Sequence, residues 1–167
     1  MTYRPDGPAH TVVRHWDGAC WRSIRLPNGV NTAAAIAVVA RTDVWTLGAT
    51  GRGVNGGALV ERWDGTRWHI APTPVVNGGV SAVAAISAGD VWAVGNHNSP
   101  GPALTMHWDG RHWREIPSPN GPASRQLSGV VAVSSRDVWA VGNVFDGSSN
   151  PHQAILHWNG VRWSIVP

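Results

Sequence analysis

The chain has 167 residues, 43% of them hydrophobic and only 14% charged, and its 20 glycines and 12 prolines interrupt every helical apolar period, which excludes long helices and favours short strands joined by many turns. The net charge of +3 rests on 13 arginines with no lysine, scattered without a basic run, which argues against nucleic acid as a partner. The one cysteine, Cys20, excludes an internal disulfide and a thiolate metal site, and no apolar run approaches membrane-spanning length, so no membrane partner is expected.

In chain order, residues 1–10 ("MTYRPDGPAH") read as a flexible leader without the apolar core of a signal peptide. The chain as given is expected to be soluble and to carry no export address; a piece of a longer secreted protein fits the same residues. Residues 11–27 follow, with two tryptophans around an Asp-Gly ("HWDGACW"). Two successive strands joined by a hairpin turn are expected there, which is half of a larger unit.

That unit is complete in residues 30–73. An apolar strand ("AAAIAVVA") leads through a tight turn to "DVWTLG". A loop follows, then a strand ending in "RW", an Asp-Gly turn, and a last strand that carries Trp68 and stops at Pro72. Residues 78–118 and 127–167 repeat the order with "GDVWAVG" and "RDVWAVG". Trp45, Trp92 and Trp139 are spaced 47 and 47 residues apart. Trp16, Trp63, Trp108 and Trp158 begin the Asp-Gly motif, and Trp21, Trp68, Trp113 and Trp163 end it. These three series contain all 11 tryptophans, so one unit generates the chain.

Asp-Gly is a strong hairpin signal, since a two-residue turn wants positive φ at both positions, and Asn159-Gly160 keeps that chemistry. A two-residue turn places Trp108 opposite Arg111 and Met106 opposite Trp113, with the two rings diagonal on one face. An extra turn residue shifts this register.

Four antiparallel strands repeating every 40–50 residues is the pattern of a propeller blade. With its "DVWAVG" and "HWDGxxW" motifs, the chain from residue 11 onward resembles the tandem β-propeller repeats of actinobacterial proteins, related in pattern to the kelch and galactose-oxidase-type propellers. The resemblance implies an all-β propeller-type array of four-stranded antiparallel blades and does not specify an activity. The chain supplies about 3.5 blades, an incomplete ring. Closure then calls for further blades or a second chain. Two copies bring the strand number of seven blades but not the strand types. Each half-blade needs a "DVWAVG" strand, and neither copy has one to spare.

The tryptophans are expected to pack between sheets rather than to stack on sugars, because every blade faces the same packing problem. Asp43, Asp90 and Asp137 end the first turn of each blade, where a carboxylate accepts backbone N–H groups; acid-base chemistry is the weaker reading. His15, His107 and His157 share a repeat position with Arg62, which argues against a metal there. Cys20 shares its position with Arg67, His112 and Arg162 and is expected to be a half-exposed strand residue.

The strand order puts the repeated turns at one end of the blades and the variable loops at the other. The polar, repeat-breaking residues of those loops are the binding candidates: Arg52, Asn55, Asn96, His97, Asn98, Arg125, Gln126, Asp146, Asn150, His152 and Gln153. No catalytic residue, metal or cofactor is expected, since no nucleophile-base spacing or phosphate-binding glycine motif is present. The leading expectation is a non-catalytic module that binds protein or glycan through this loop face. The alternative is part of an enzymatic propeller, glycosidase-like or oxidase-like, whose site is completed by other blades. A purely structural spacer is the third reading.

Overall fold

The structure is a computed structural model, and it describes residues 11–24, 26–27, 31–50, 57–74, 77–98, 101–120, 123–148 and 150–167. Fourteen strands are formed and no helix among the described residues. A two-stranded hairpin comes first, β1 (Val13–Trp16) and β2 (Trp21–Ile24). Three four-stranded antiparallel meanders follow. The first is β3 (Asn31–Ala40), β4 (Asp43–Thr50), β5 (Ala58–Trp63) and β6 (Trp68–Ala71). The second is β7 (Gly78–Ser87), β8 (Asp90–His97), β9 (Ala103–Trp108) and β10 (Trp113–Glu115). The third is β11 (Ser124–Ser134), β12 (Asp137–Phe145), β13 (His152–Trp158) and β14 (Trp163–Ile165). The leading strand β7 lies against both β3 and β11, so the three sheets form an open propeller-type arc.

Each leading strand carries two bulges at equivalent places, which tighten the right-handed twist that fans the sheets apart. The glycine of "DVWAVG" sits opposite the first of them. A Cβ on Gly95 would stand 1.9 Å from the Gly79 carbonyl oxygen, and one on Gly142 2.0 Å from that of Gln126. Close approach of the two backbones therefore demands glycine in the motif.

The hairpin register differs from the two-residue expectation. Four residues span each turn, and the tryptophans pair directly, Trp16 with Trp21, Trp63 with Trp68, Trp108 with Trp113 and Trp158 with Trp163. The cause is the Asp side chain. Asp109 Oδ1 accepts the backbone N–H groups of Arg111 (2.9 Å) and His112 (2.8 Å), and the Asp109 N–H donates to the His112 carbonyl. Asp17, Asp64 and Asn159 do the same. The side-chain oxygen replaces a backbone acceptor, so only the glycine takes positive φ, near 90° at Gly110 and 91° at Gly160. That explains why Asn serves as well as Asp. Cys20 accordingly lies in a turn rather than a strand, exposed, with Sγ 3.6 Å from Asp17 Oδ2.

The carboxylates of the "DVW" motif also have other partners than the expected backbone N–H groups. Each bonds the cationic or imidazole side chain on the neighbouring third strand. Arg62 donates to Asp43 through Nε (2.7 Å) and Nη2 (2.9 Å). His107 Nε2 lies 2.9 Å from Asp90 Oδ1, and His157 Nε2 lies 2.9 Å from Asp137 Oδ1. The same side chain covers the "DVW" indole. The Arg62 guanidinium is 4.7 Å from the centre of Trp45, His107 is 4.4 Å from Trp92, and His157 is 4.3 Å from Trp139. Arginine and imidazole are interchangeable here because both donate to a carboxylate and both lie flat on an aromatic face.

Two cores separate the three meanders. Trp45 packs against Trp108 (5.2 Å between ring centres) and Trp113 (5.6 Å), with Leu47, Val60, Val91 and Met106 around them. Trp92 packs against Trp158 (5.0 Å) and Trp163 (5.5 Å), with Leu127, Val138 and Leu156. One sheet's "DVW" indole thus enters the paired indoles of the next sheet.

Removing a charge partner from a mostly buried carboxylate leaves that carboxylate desolvated. Arg62→Ala is therefore expected to lower stability by about 1.5–3 kcal/mol in urea denaturation. Arg62→His is expected to recover most of the loss, as His107 and His157 do the same work; equal losses for the two variants would contradict the assignment.

Candidate functional site

The antiparallel order brings the second-to-third-strand loops and the sheet-to-sheet connectors to one end of the arc. Hydrogen bonds tie neighbouring segments together there. The Asn98 backbone N–H donates to the Asn77 carbonyl (2.8 Å), and Asn98 Nδ2 donates to Asn77 Oδ1 (3.2 Å). The Arg125 backbone N–H donates to the Gly101 carbonyl (3.1 Å), and Arg125 Nη1 donates to that of Pro119 (3.2 Å). Asn98 and Gly101 belong to the β8–β9 loop, Asn77 to the β6–β7 connector and Pro119 to the β10–β11 connector. The rim around the second sheet is thus one hydrogen-bonded assembly.

Several candidates stand in strands rather than in loops, because the strands run further toward this rim than the repeat pattern suggests. Asn96 and His97 end β8, Arg125 and Gln126 open β11, and His152 and Gln153 open β13. Asn98, Asp146 and Asn150 do lie in loops, while Arg52 and Asn55 lie outside the described residues. Arg125 is buried and braces the connector through Pro119. Gln126 and Gln153 are exposed and flank Asn143, to which both are paired across the sheet. His97 Nε2 lies 3.2 Å from Glu115 Oε1, and Asn96 Nδ2 donates to the His97 carbonyl (3.2 Å). Asn77, His97, Asn98 and Glu115 therefore present amide, imidazole and carboxylate groups around one sheet end. Such a set offers donors and acceptors to hydroxyl or peptide groups.

On the third sheet, Asp146, Ser148 and His152 meet in the β12–β13 loop. The Ser148 N–H, which donates to Asp146 Oδ1, and the nearby His152 hold the Asp146 carboxyl below its usual range. A Ser, a His and an Asp in contact invite comparison with a hydrolytic triad, and the geometry does not fit one. Ser148 Oγ and Asp146 Oδ2 both face the same nitrogen, His152 Nε2, at 3.4 Å. A triad needs the carboxylate on one ring nitrogen and the hydroxyl on the other. Ser148 moreover donates to the Asn150 carbonyl (2.7 Å), so the trio clasps the loop. Among the described residues no group of His, Cys, Asp and Glu has the arrangement of a metal site, and no helix is long and apolar enough to cross a membrane.

Repeat reading passed over Asn77, Glu115 and one buried acid, Glu61. Glu61 occupies the place of Met106 and Leu156, and Thr46 beside it occupies that of Ala93 and Ala140. Glu61 is 2% exposed; Thr46 Oγ1 donates to Oε2 (3.3 Å), and among the described residues Oε1 has no hydrogen-bond partner. Burial pushes its pKa up. The signal available in the sequence is the break in an apolar column.

No protein-family model matches the chain, and no curated protein matches it either.

The protonated Glu61 suits its surroundings better than the carboxylate. Its raised folded-state pKa means that it burdens stability least below the ordinary value of 4.5, and increasingly as pH rises toward the folded-state value. Glu61→Met is therefore expected to stabilise the protein by about 1–3 kcal/mol at about pH 8 and by clearly less at about pH 4. Thermal unfolding at the two pH values checks this; a gain that does not change with pH would contradict it.

Proposed function

We propose that the chain is a non-catalytic propeller module that binds a protein or a glycan through the variable end of its sheets, of the kelch-related, actinobacterial type that its "DVWAVG" and "HWDGxxW" motifs resemble. One observation carries this reading. The two ends of the same sheets are built differently. At one end, four turns share a single hydrogen-bond scheme, with Asp17, Asp64, Asp109 or Asn159 closing each. At the other, each loop has its own length and its own polar residues, held on a rigid sheet. Side chains that differ between repeats are free to suit a ligand, whereas those that recur in every repeat serve the fold.

In this reading His97, Asn98, Asn77 and Glu115 meet the ligand, and Arg125 positions the connector beneath them. Further blades or a second chain complete the ring and extend the rim.

The test is a glycan array together with a panel of immobilised protein ligands. Selective binding is expected, weakened about tenfold or more by the double variant His97→Ala/Asn98→Ala and unchanged by Arg111→Ala at the opposite end. Silence on every surface, or equal loss from both variants, would overturn the assignment.

A further inference from the structure

The first hairpin and the first full sheet leave three features of the repeat without the partners that its other copies have. First, β1 is the counterpart of β5, β9 and β13. Each of those pairs with a fourth strand on one side and with a "DVW" strand on the other, whereas among the described residues β1 pairs only with β2. Second, His15 holds the position of Arg62, His107 and His157, each of which bonds a "DVW" carboxylate and covers a "DVW" indole. His15 is exposed and has neither contact among the described residues.

Third, the face of the first sheet that looks toward the hairpin is left largely exposed. Ile36 and Val38 are 59% and 67% exposed. Their counterparts Val83 and Ala85 pack into one inter-sheet core, and Val130 and Ala132 into the other. Trp63 and Trp68 are a ring pair 5.7 Å apart, and among the described residues no third indole enters it, unlike Trp45 at Trp108/Trp113 and Trp92 at Trp158/Trp163. A cleft of about 380 Å³ lies there instead, bounded by His15 on the hairpin side and by Val38, Trp63 and Trp68 on the sheet side.

One partner fits all three. We propose that this cleft is a docking site for a two-stranded β-hairpin of the protein's own repeat type, an alternating Val/Ala strand followed by an Asp-Val-Trp strand. The Asp-Val-Trp strand pairs with the open edge of β1 in the register that sets Trp92 opposite His107. Its carboxylate then bonds the His15 imidazole, and its indole lies under His15 and enters the Trp63/Trp68 pair. The Val/Ala strand extends the new sheet beyond it, and the added pair of strands covers Ile36 and Val38. Folded copies of the chain are not the occupant, since each of their "DVW" strands is already paired on both sides.

The test uses the full chain and a fluorescently labelled peptide of residues 124–146, which carries the β11–β12 sequence. Saturable binding by fluorescence anisotropy is expected. His15→Ala in the protein, an exposed change that leaves the melting temperature alone, is expected to weaken it about tenfold, as is Trp139→Ala in the peptide. Joined covalently ahead of Thr11, the same segment is expected to raise the melting temperature and to shield Trp63 and Trp68 from acrylamide quenching. Absence of saturable binding up to about 0.1 mM peptide together with an unchanged melting temperature of the fusion would overturn the proposal, as would binding indifferent to both substitutions.

Discussion

Short glycine-rich sheets stay together here because the first drives Trp45, and the second Trp92, into a pair of tryptophans on the next. Burying an indole removes about 150–250 Å² from water, worth on the order of 4–6 kcal/mol before entropy is counted. The insertion has a polar cost, since among the described residues the buried ring N–H groups of Trp45, Trp92, Trp113 and Trp163 have no acceptor. At about 1–3 kcal/mol for each unmet group, that cost is smaller than the gain from the ring. The first tryptophan of the pair avoids it, as Trp108 donates to the Ala88 carbonyl and Trp158 to that of Ser135. The Asp–His or Asp–Arg pair then fixes the inserted ring by covering one of its faces.

This arrangement makes the two ends of the sheets unequal. At the repeated end, the Asp or Asn turn lies tight against the first turn of its own sheet. A Cβ on Gly110 would stand 3.3 Å from the Gly89 backbone, and one on Gly65 2.7 Å from Thr42. Neighbouring sheets also meet there, with Ser135 Oγ donating to Asp90. Little can change at such an end. The far end has no matching requirement, and its residues are bound to one another through local contacts such as Asn77–Asn98 and His97–Glu115. The structural constraint is thus concentrated at the first end.

The repeat and the number of strands were legible from spacing alone, because burial between full sheets imposes the same residues at the same interval. The turn register was not. An Asp-Gly pair suits a two-residue turn and a four-residue turn closed by its own side chain alike, and only the second leaves Asp109 at ordinary φ. The partner of Asp43, Asp90 and Asp137 was misjudged because it stands 17–20 residues away across a strand pair. A trace of it was visible, since Arg62 in place of histidine keeps a donor opposite an acid. Of the binding candidates, the loop position of Asn98 followed from topology, while the bracing role of Arg125 depends on a carbonyl in the connector and leaves no pattern. Glu61 escaped notice because a single acid in one apolar column is conspicuous only once the column is known.

The insertion of one sheet's indole into the next can be measured by comparing two tryptophans of the same motif. Trp92 enters the Trp158/Trp163 pair, whereas Trp139 has no such pair beside it among the described residues and stacks only on His157. In urea denaturation, Trp92→Ala is predicted to cost about 3–5 kcal/mol and Trp139→Ala less than half as much. Equal losses from the two substitutions, or a larger loss at Trp139, would contradict the account.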